Sequence, residues 1–255
     1  MSPRRQILLL SIMLSIYASL AFISYYGFFD QMMQLPGAEP EFDFNQRWIL
    51  GLANAGLVIV VYGLLGLAGY WFARKLNWPG IYREGAGWRG WLVQPMVIGL
   101  LLGVFVVVAD RFFAVLNAWD GFPHPPFPLS LIASATAGIG EEILFRAFVM
   151  GLWAYLLNRF LIRWIQAKVA FWIANFIAAL AFGAAHLGSA MYLLGGTSLS
   201  VISPLIMSEI FLINGVIGLV AGERYMRQGL VAAAGIHFWT DIVWHLIWPL
   251  FINLG

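Results

Sequence analysis

The stretch GIGEEILFRAFVMGLW, residues 138–153, sets Glu141, Glu142 and Arg146 inside an otherwise apolar run. A run this apolar belongs in lipid, where a charged side chain at a helix centre costs about 2.5–3.5 kcal/mol on the insertion scale. The three groups must therefore face protein or water, which requires a bundle of helices with a polar interior. Within one helix, Glu142 and Arg146 are four apart and share a face, so they can form an acid-before-base pair. Glu141 points about 100° away, which leaves its carboxylate free to meet other helices. Arg146 can hold one glutamate charged while the other adapts its protonation to its surroundings. One glutamate thus reads as structural and the other as chemical.

The rest of the chain fits this reading. Of 255 residues, 62% are hydrophobic and 10% charged, and the mean hydropathy is +0.84, far from the balance of a soluble domain. Seven segments are long enough to cross a bilayer: residues 7–29, 48–72, 91–115, 129–157, 169–192, 199–222 and 230–252. The fold class expected is an all-α membrane bundle, a single domain over 1–255 with its motif-bearing core at about 129–251. Arg4, Arg5 and Ser19-Leu20-Ala21 resemble a secretory signal, but the apolar run continues through Phe29, as in a retained anchor. With the N-terminus cytoplasmic, the inner segments hold 11 of the 14 basic residues: Arg4, Arg5, Arg74, Lys75, Arg83, Arg89, Arg159, Arg163, Lys168, Arg224 and Arg227. The first outer loop, with Asp30, Glu39, Glu41, Asp43, Pro36 and Pro40, reads as an exposed acidic connection. The absence of cysteine excludes disulfides, thiolate metal sites and a cysteine nucleophile. A net charge of +2, concentrated in loops, gives no footing for nucleic acid. The absence of a receptor-read address fits a prokaryotic plasma membrane.

Two further spacings repeat the four-residue step. In FGAAH, Phe182 walls His186 from one side; in HFWTD, His237 and Asp241 aim at the same space. Small residues around them, including Gly138, Gly140, Ala147, Gly183 and Gly235, let membrane helices approach closely. Three helices can thus bring two carboxylates and two imidazoles to one pocket. Taken singly, each feature also has a plain reading: an ion pair locking two helices, a packed phenylalanine, a hydrogen-bonded core histidine.

In this order, EEILFR, FGAAH and HFWTD resemble the EExxxR, FxxxH and HxxxN/D motifs of the CAAX protease and bacteriocin-processing family, which includes the type II CAAX prenyl endopeptidase. The resemblance covers about residues 129–245. It implies an intramembrane endopeptidase in which Glu141 and His186 activate a water, His237 and Asp241 stabilise the oxyanion or orient its donor, and Glu142 and Arg146 brace the site. Asp241 replaces the asparagine of the eukaryotic enzymes; it must be protonated to donate to an oxyanion, or else orient His237. Ala147 replaces a glycine that often follows the motif arginine. The resemblance favours a metal-free mechanism without cofactor, although His186, His237 and Glu141 with a water also suit a three-ligand zinc site. The implied partners are a membrane-associated peptide or protein substrate and the bilayer. A proton-coupled transporter or a non-catalytic scaffold would use the same buried groups, but Pro204 is the only mid-segment helix breaker.

Outside the motifs, Asp110 and Arg111 are expected at the outer interface, His245 as a packing group, and Glu209 as cavity-lining or hydrogen-bonded to a neighbouring helix. On these spans His186 and His237 lie about 13 Å apart in depth at 1.5 Å per residue. The expected remedy is tilting of the fifth and seventh helices, with part of residues 158–168 lying along the inner surface so that both rings converge beside Glu141.

Overall fold

The computed structural model describes residues 2–32, 44–161, 164 and 166–252. Seven of its helices are long and apolar enough to cross a membrane: α1 (Pro3–Gly27), α2 (Asn45–Lys75), α3 (Arg89–Asn117), α4 (Leu129–Leu161), α5 (Ala167–Leu193), α6 (Pro204–Gln228) and α7 (Leu230–Phe251). They make an all-α integral membrane protein. Large apolar side chains such as Leu64, Leu101, Val108 and Val115 remain exposed on it, as a lipid-facing surface requires. α4 is the central helix, packed against α1, α2, α5 and α7, and α7 in turn packs on α3 and α6.

Each helix ends where the local sequence stops it. The sixth begins five residues later than the hydropathy pattern predicts and runs six further, to Gln228. Pro204 occupies its first turn rather than its middle, where a missing N–H costs nothing, and the Ser203 hydroxyl caps it by accepting from the Ile206 N–H at 3.1 Å. Gly229 alone joins α6 to α7. Its φ of +93° favours glycine, and a Cβ there would stand 2.8 Å from the Gly80 carbonyl oxygen.

Connections alternate between two faces. On the first, the Gln6 side chain clamps the α2–α3 loop: its Nε2 donates to the carbonyls of Pro79 (3.1 Å) and Tyr82 (2.9 Å), and its Oε1 accepts from Ile81 N (2.8 Å). The Leu230 and Val231 N–H groups donate to Gly80 and Ile81 carbonyls on the same face. On the second, Ser203 donates to Asn117 Oδ1 at 3.2 Å, tying the α3–α4 and α5–α6 connections together. Asn158, Arg159, Phe160 and Leu161 form the end of α4 rather than a separate surface helix. The expectation for Ile162, Arg163 and Ile165, like that for the acidic loop residues 36–43, lies outside the described residues.

Close backbone approach places α7. A Cβ on Gly99 would stand 2.5 Å from the Ile236 carbonyl oxygen and 2.6 Å from Trp239 Cβ. Thr240 Oγ1 lies 2.9 Å from Ile236 O and 3.2 Å from Gly99 O at the same crossing. Because the obstructing atoms are largely backbone, Gly99→Val must push α3 from α7. Overpacking of this kind costs about 1–3 kcal/mol, and we expect a lowered thermal midpoint in detergent; an unchanged midpoint would show that the helices separate without cost.

Candidate active site

The motif glutamates straddle a change of helix type. Glu141 is the last α-helical residue of its stretch, and Glu142–Met150 is wound as a π-helix, a feature that often marks functional positions. A second π stretch, Ile242–Ile247, follows Asp241 directly. Glu142 and Arg146 do pair, Nε to Oε2 at 3.1 Å, with both side chains screened from solvent. The Arg146 guanidinium also stands 4.4 Å from the centroid of the Phe182 ring, a cation–π contact that is strongest where water is excluded.

The other oxygen of Glu142 makes a contact that the spacing did not predict. Glu142 Oε1 accepts from His237 Nδ1 at 2.9 Å, so the bracing pair also fixes an imidazole. With Nδ1 engaged, His237 turns Nε2 toward Asp241 Oδ2 at 3.7 Å and Glu141 Oε2 at 3.9 Å. Glu141 is the most open of these acids, its side chain 33% exposed, and its Oε2 has no hydrogen-bond partner among the described residues.

His186 is oriented by its own helix. Its Nδ1 lies 2.8 Å from the Phe182 carbonyl oxygen, which can only accept. Nδ1 must therefore carry a proton, and in the neutral ring Nε2 is the basic nitrogen. Phe182 does more than pack: its ring meets His186 edge-to-face at 4.9 Å and His237 at 5.5 Å. One buried phenylalanine thus spaces two imidazoles and faces a guanidinium.

Glu141, His186, His237 and Asp241 line one cavity of about 250 Å³, together with Glu209, Thr240, Trp244 and His245. The 13 Å separation in depth inferred from hydropathy is therefore wrong. The helices that carry the two rings, α5 (Ala167–Leu193) and α7 (Leu230–Phe251), begin and end within two residues of where hydropathy places them, so packing across helices rather than segment midpoints sets the depth of each side chain. Among the described residues no group of three His, Asp or Glu is arranged to hold a metal ion.

Two expectations outside the motifs need correction. Asp110 is wholly buried rather than interfacial; Arg111 holds its Oδ2 through Nε at 2.9 Å and Nη2 at 2.5 Å. His245 lines the cavity and pairs with His124 of the α3–α4 connection, the two Nδ1 atoms 3.3 Å apart. Burial chiefly holds His124 down to about 4, so that ring is neutral near pH 7 and only one Nδ1 of the pair carries the shared proton. Ala147, which stands where the motif arginine is often followed by glycine, packs tightly on Gly69 of α2. His124, Thr240 and Trp244 carried no signal of their own; Asp110 and Glu209 did, as membrane acids that no motif explains.

A helical membrane bundle with a buried cavity of paired acids and imidazoles has the parts that an intramembrane hydrolase needs. Residues 123–243 match the family model described as type II CAAX prenyl endopeptidase Rce1-like. That match indicates a peptide-bond hydrolase acting on a peptide or protein at the membrane. No curated protein and no solved structure matches the chain.

Proposed function

We propose that the chain is a glutamic-type intramembrane endopeptidase, and that Glu141 and His186 activate the water that attacks a scissile amide. The observation that carries this is the meeting of Glu141, His186, His237 and Asp241 at one cavity within the bundle. Glu141 offers a carboxylate oxygen free of protein donors, and His186 offers a basic Nε2. Amide hydrolysis needs a base for water, a proton donor for the leaving nitrogen and a donor for the tetrahedral oxyanion. His237, fixed at Nδ1 by Glu142, presents Nε2 as that donor when the ring is the doubly protonated imidazolium, the only form in which both nitrogens donate. Asp241 then orients His237 rather than donating to the oxyanion itself, in keeping with its 3.7 Å approach to Nε2.

The side of the membrane follows from charge. Arg4, Arg5, Arg74, Lys75, Arg83, Arg89, Arg224 and Arg227 belong to the first face of the bundle, a bias that supports reading that face as cytoplasmic. The cavity is lined instead by Phe122 and Pro123 of the α3–α4 connection and by Leu193 at the end of α5, on the opposite face. In a prokaryotic plasma membrane the substrate then reaches the site from the extracytoplasmic side, where maturation or trimming of exported, membrane-associated polypeptides is the fitting task. Comparing membrane and secreted proteomes of cells carrying wild type or Glu141→Gln identifies the substrates. With such a substrate, purified enzyme stripped by a chelator should keep its rate; a loss that stoichiometric zinc restores would overturn the metal-free mechanism.

A further inference from the structure

Glu209 is the membrane acid that the reaction leaves without a task. It is wholly buried on α6, it lines the same cavity, and neither of its oxygens has a donor among the described residues. The polar group that faces it is the Asp110 carboxyl, within hydrogen-bonding reach if one of the two carries a proton. Arg111 is already engaged, by Asp110 Oδ2 and by the Asp120 carbonyl at 2.6 Å. Two carboxylates thus share one guanidinium, and the surplus charge is met by a proton or by a cation from the cavity.

Position narrows what the cation is. Ile213, one turn along α6 from Glu209, packs in the same cluster as Phe182, whose ring touches both imidazoles; Ile217 in that cluster is two turns away. Glu209 is therefore displaced by about 6–12 Å along the helix at 1.5 Å per residue, toward the face that carries the α3–α4 connection. An extended peptide covers that distance in about two to four residues at ~3.3 Å each. The other polar side chains of the cavity wall, Ser189, Asn214, Thr240 and His245, carry no negative charge, and Asn214 Nδ2 donates to the Ile210 carbonyl at 2.8 Å.

We infer that Glu209, set against the Asp110–Arg111 pair, is a subsite for the cationic side chain of a substrate lysine or arginine about two to four residues from the scissile bond. This rests on the peptidase reading. It explains why a buried acid is kept in a cavity wall, where an unpaired charge is costly, and it gives the enzyme a charge criterion that an apolar cavity lacks.

The test uses hexylammonium as a side-chain probe and hexanol as its neutral match, on purified full-length protein in mildly alkaline buffer. Hexylammonium should raise the thermal midpoint by several degrees and hexanol should not. Glu209→Gln should abolish the difference and Glu141→Gln preserve it. Equal shifts from both probes, or an undiminished shift in Glu209→Gln, overturn the subsite. If Glu209→Gln does not fold, wild type decides: dicyclohexylcarbodiimide should label Glu209, and hexylammonium but not hexanol should protect it; no labelling, or equal protection, overturns the proposal. The two readings fail separately. Loss of probe binding in Glu209→Gln with cleavage indifferent to Glu141→Gln keeps the subsite and removes the proposed base. Cleavage that needs Glu141 with probe binding indifferent to Glu209 does the reverse.

Discussion

Glu141→Gln protein is expected to fold, insert and lose cleavage by about 10²–10⁴-fold, the range a positioned general base contributes. At about 1.36 kcal/mol per tenfold this is roughly 3–5 kcal/mol of transition-state stabilisation. The substitution keeps the volume and the hydrogen-bonding reach of the side chain but removes its basicity. Stability should barely change, because Glu141 is not an ion-pair partner of Arg146 and its side chain is one third exposed. The measurement is the rate of hydrolysis by purified variant and wild type, with thermal midpoints recorded on the same samples. If His186 and Glu141 act on one water, His186→Gln costs about as much and the double variant little more than either alone, since groups working as a unit are not additive. Rates within threefold of wild type in Glu141→Gln would sink its assignment as the base.

Arg146→Met is expected to show the opposite pattern, a large loss of stability. Arg146 and Glu142 are both screened from solvent and paired at 3.1 Å, so removing the cation leaves a buried carboxylate whose nearest remaining polar contact is His237 Nδ1 at 2.9 Å. Breaking a buried pair from one side costs about 3–5 kcal/mol. The expected readings are a sharply lower thermal midpoint and a reduced yield of folded protein. Glu142→Gln leaves Arg146 uncompensated by the same logic and also loosens His237, so cleavage falls along with stability. The double variant, Glu142→Gln with Arg146→Met, should recover part of what either single loses, because no lone charge remains; coupling between contacting residues is typically about 0.5–3 kcal/mol. Additive losses would show that the pair is not what holds α4 together at this depth.

Much of the molecule was legible in its sequence. Seven apolar segments gave seven membrane-capable helices, because in lipid every backbone polar group must be satisfied within its own segment, and a run of apolar residues has no alternative to a helix. The Glu142–Arg146 pair follows from i,i+4 spacing, and the meeting of His186, His237, Asp241 and Glu141 at one cavity follows from the cost of leaving each alone in hydrocarbon. These are local or compositional facts, fixed by spacing along one helix and by the solvent around it.

Tertiary structure decided the rest. Hydropathy places a segment in the membrane but not its depth, which is why it put the imidazoles 13 Å apart at 1.5 Å per residue and set Pro204 mid-segment when it starts α6. That Glu142 grips His237 as well as Arg146, that Phe182 faces three functional groups, and that Asp110 turns inward to meet Glu209 depend on how α3, α4, α5, α6 and α7 rotate against one another. Rotation is set by the tight crossings at Gly99 and at Gly69 with Ala147, where shape and not polarity selects the arrangement. Spacing names which side chains share a helix face; packing across helices decides which faces meet.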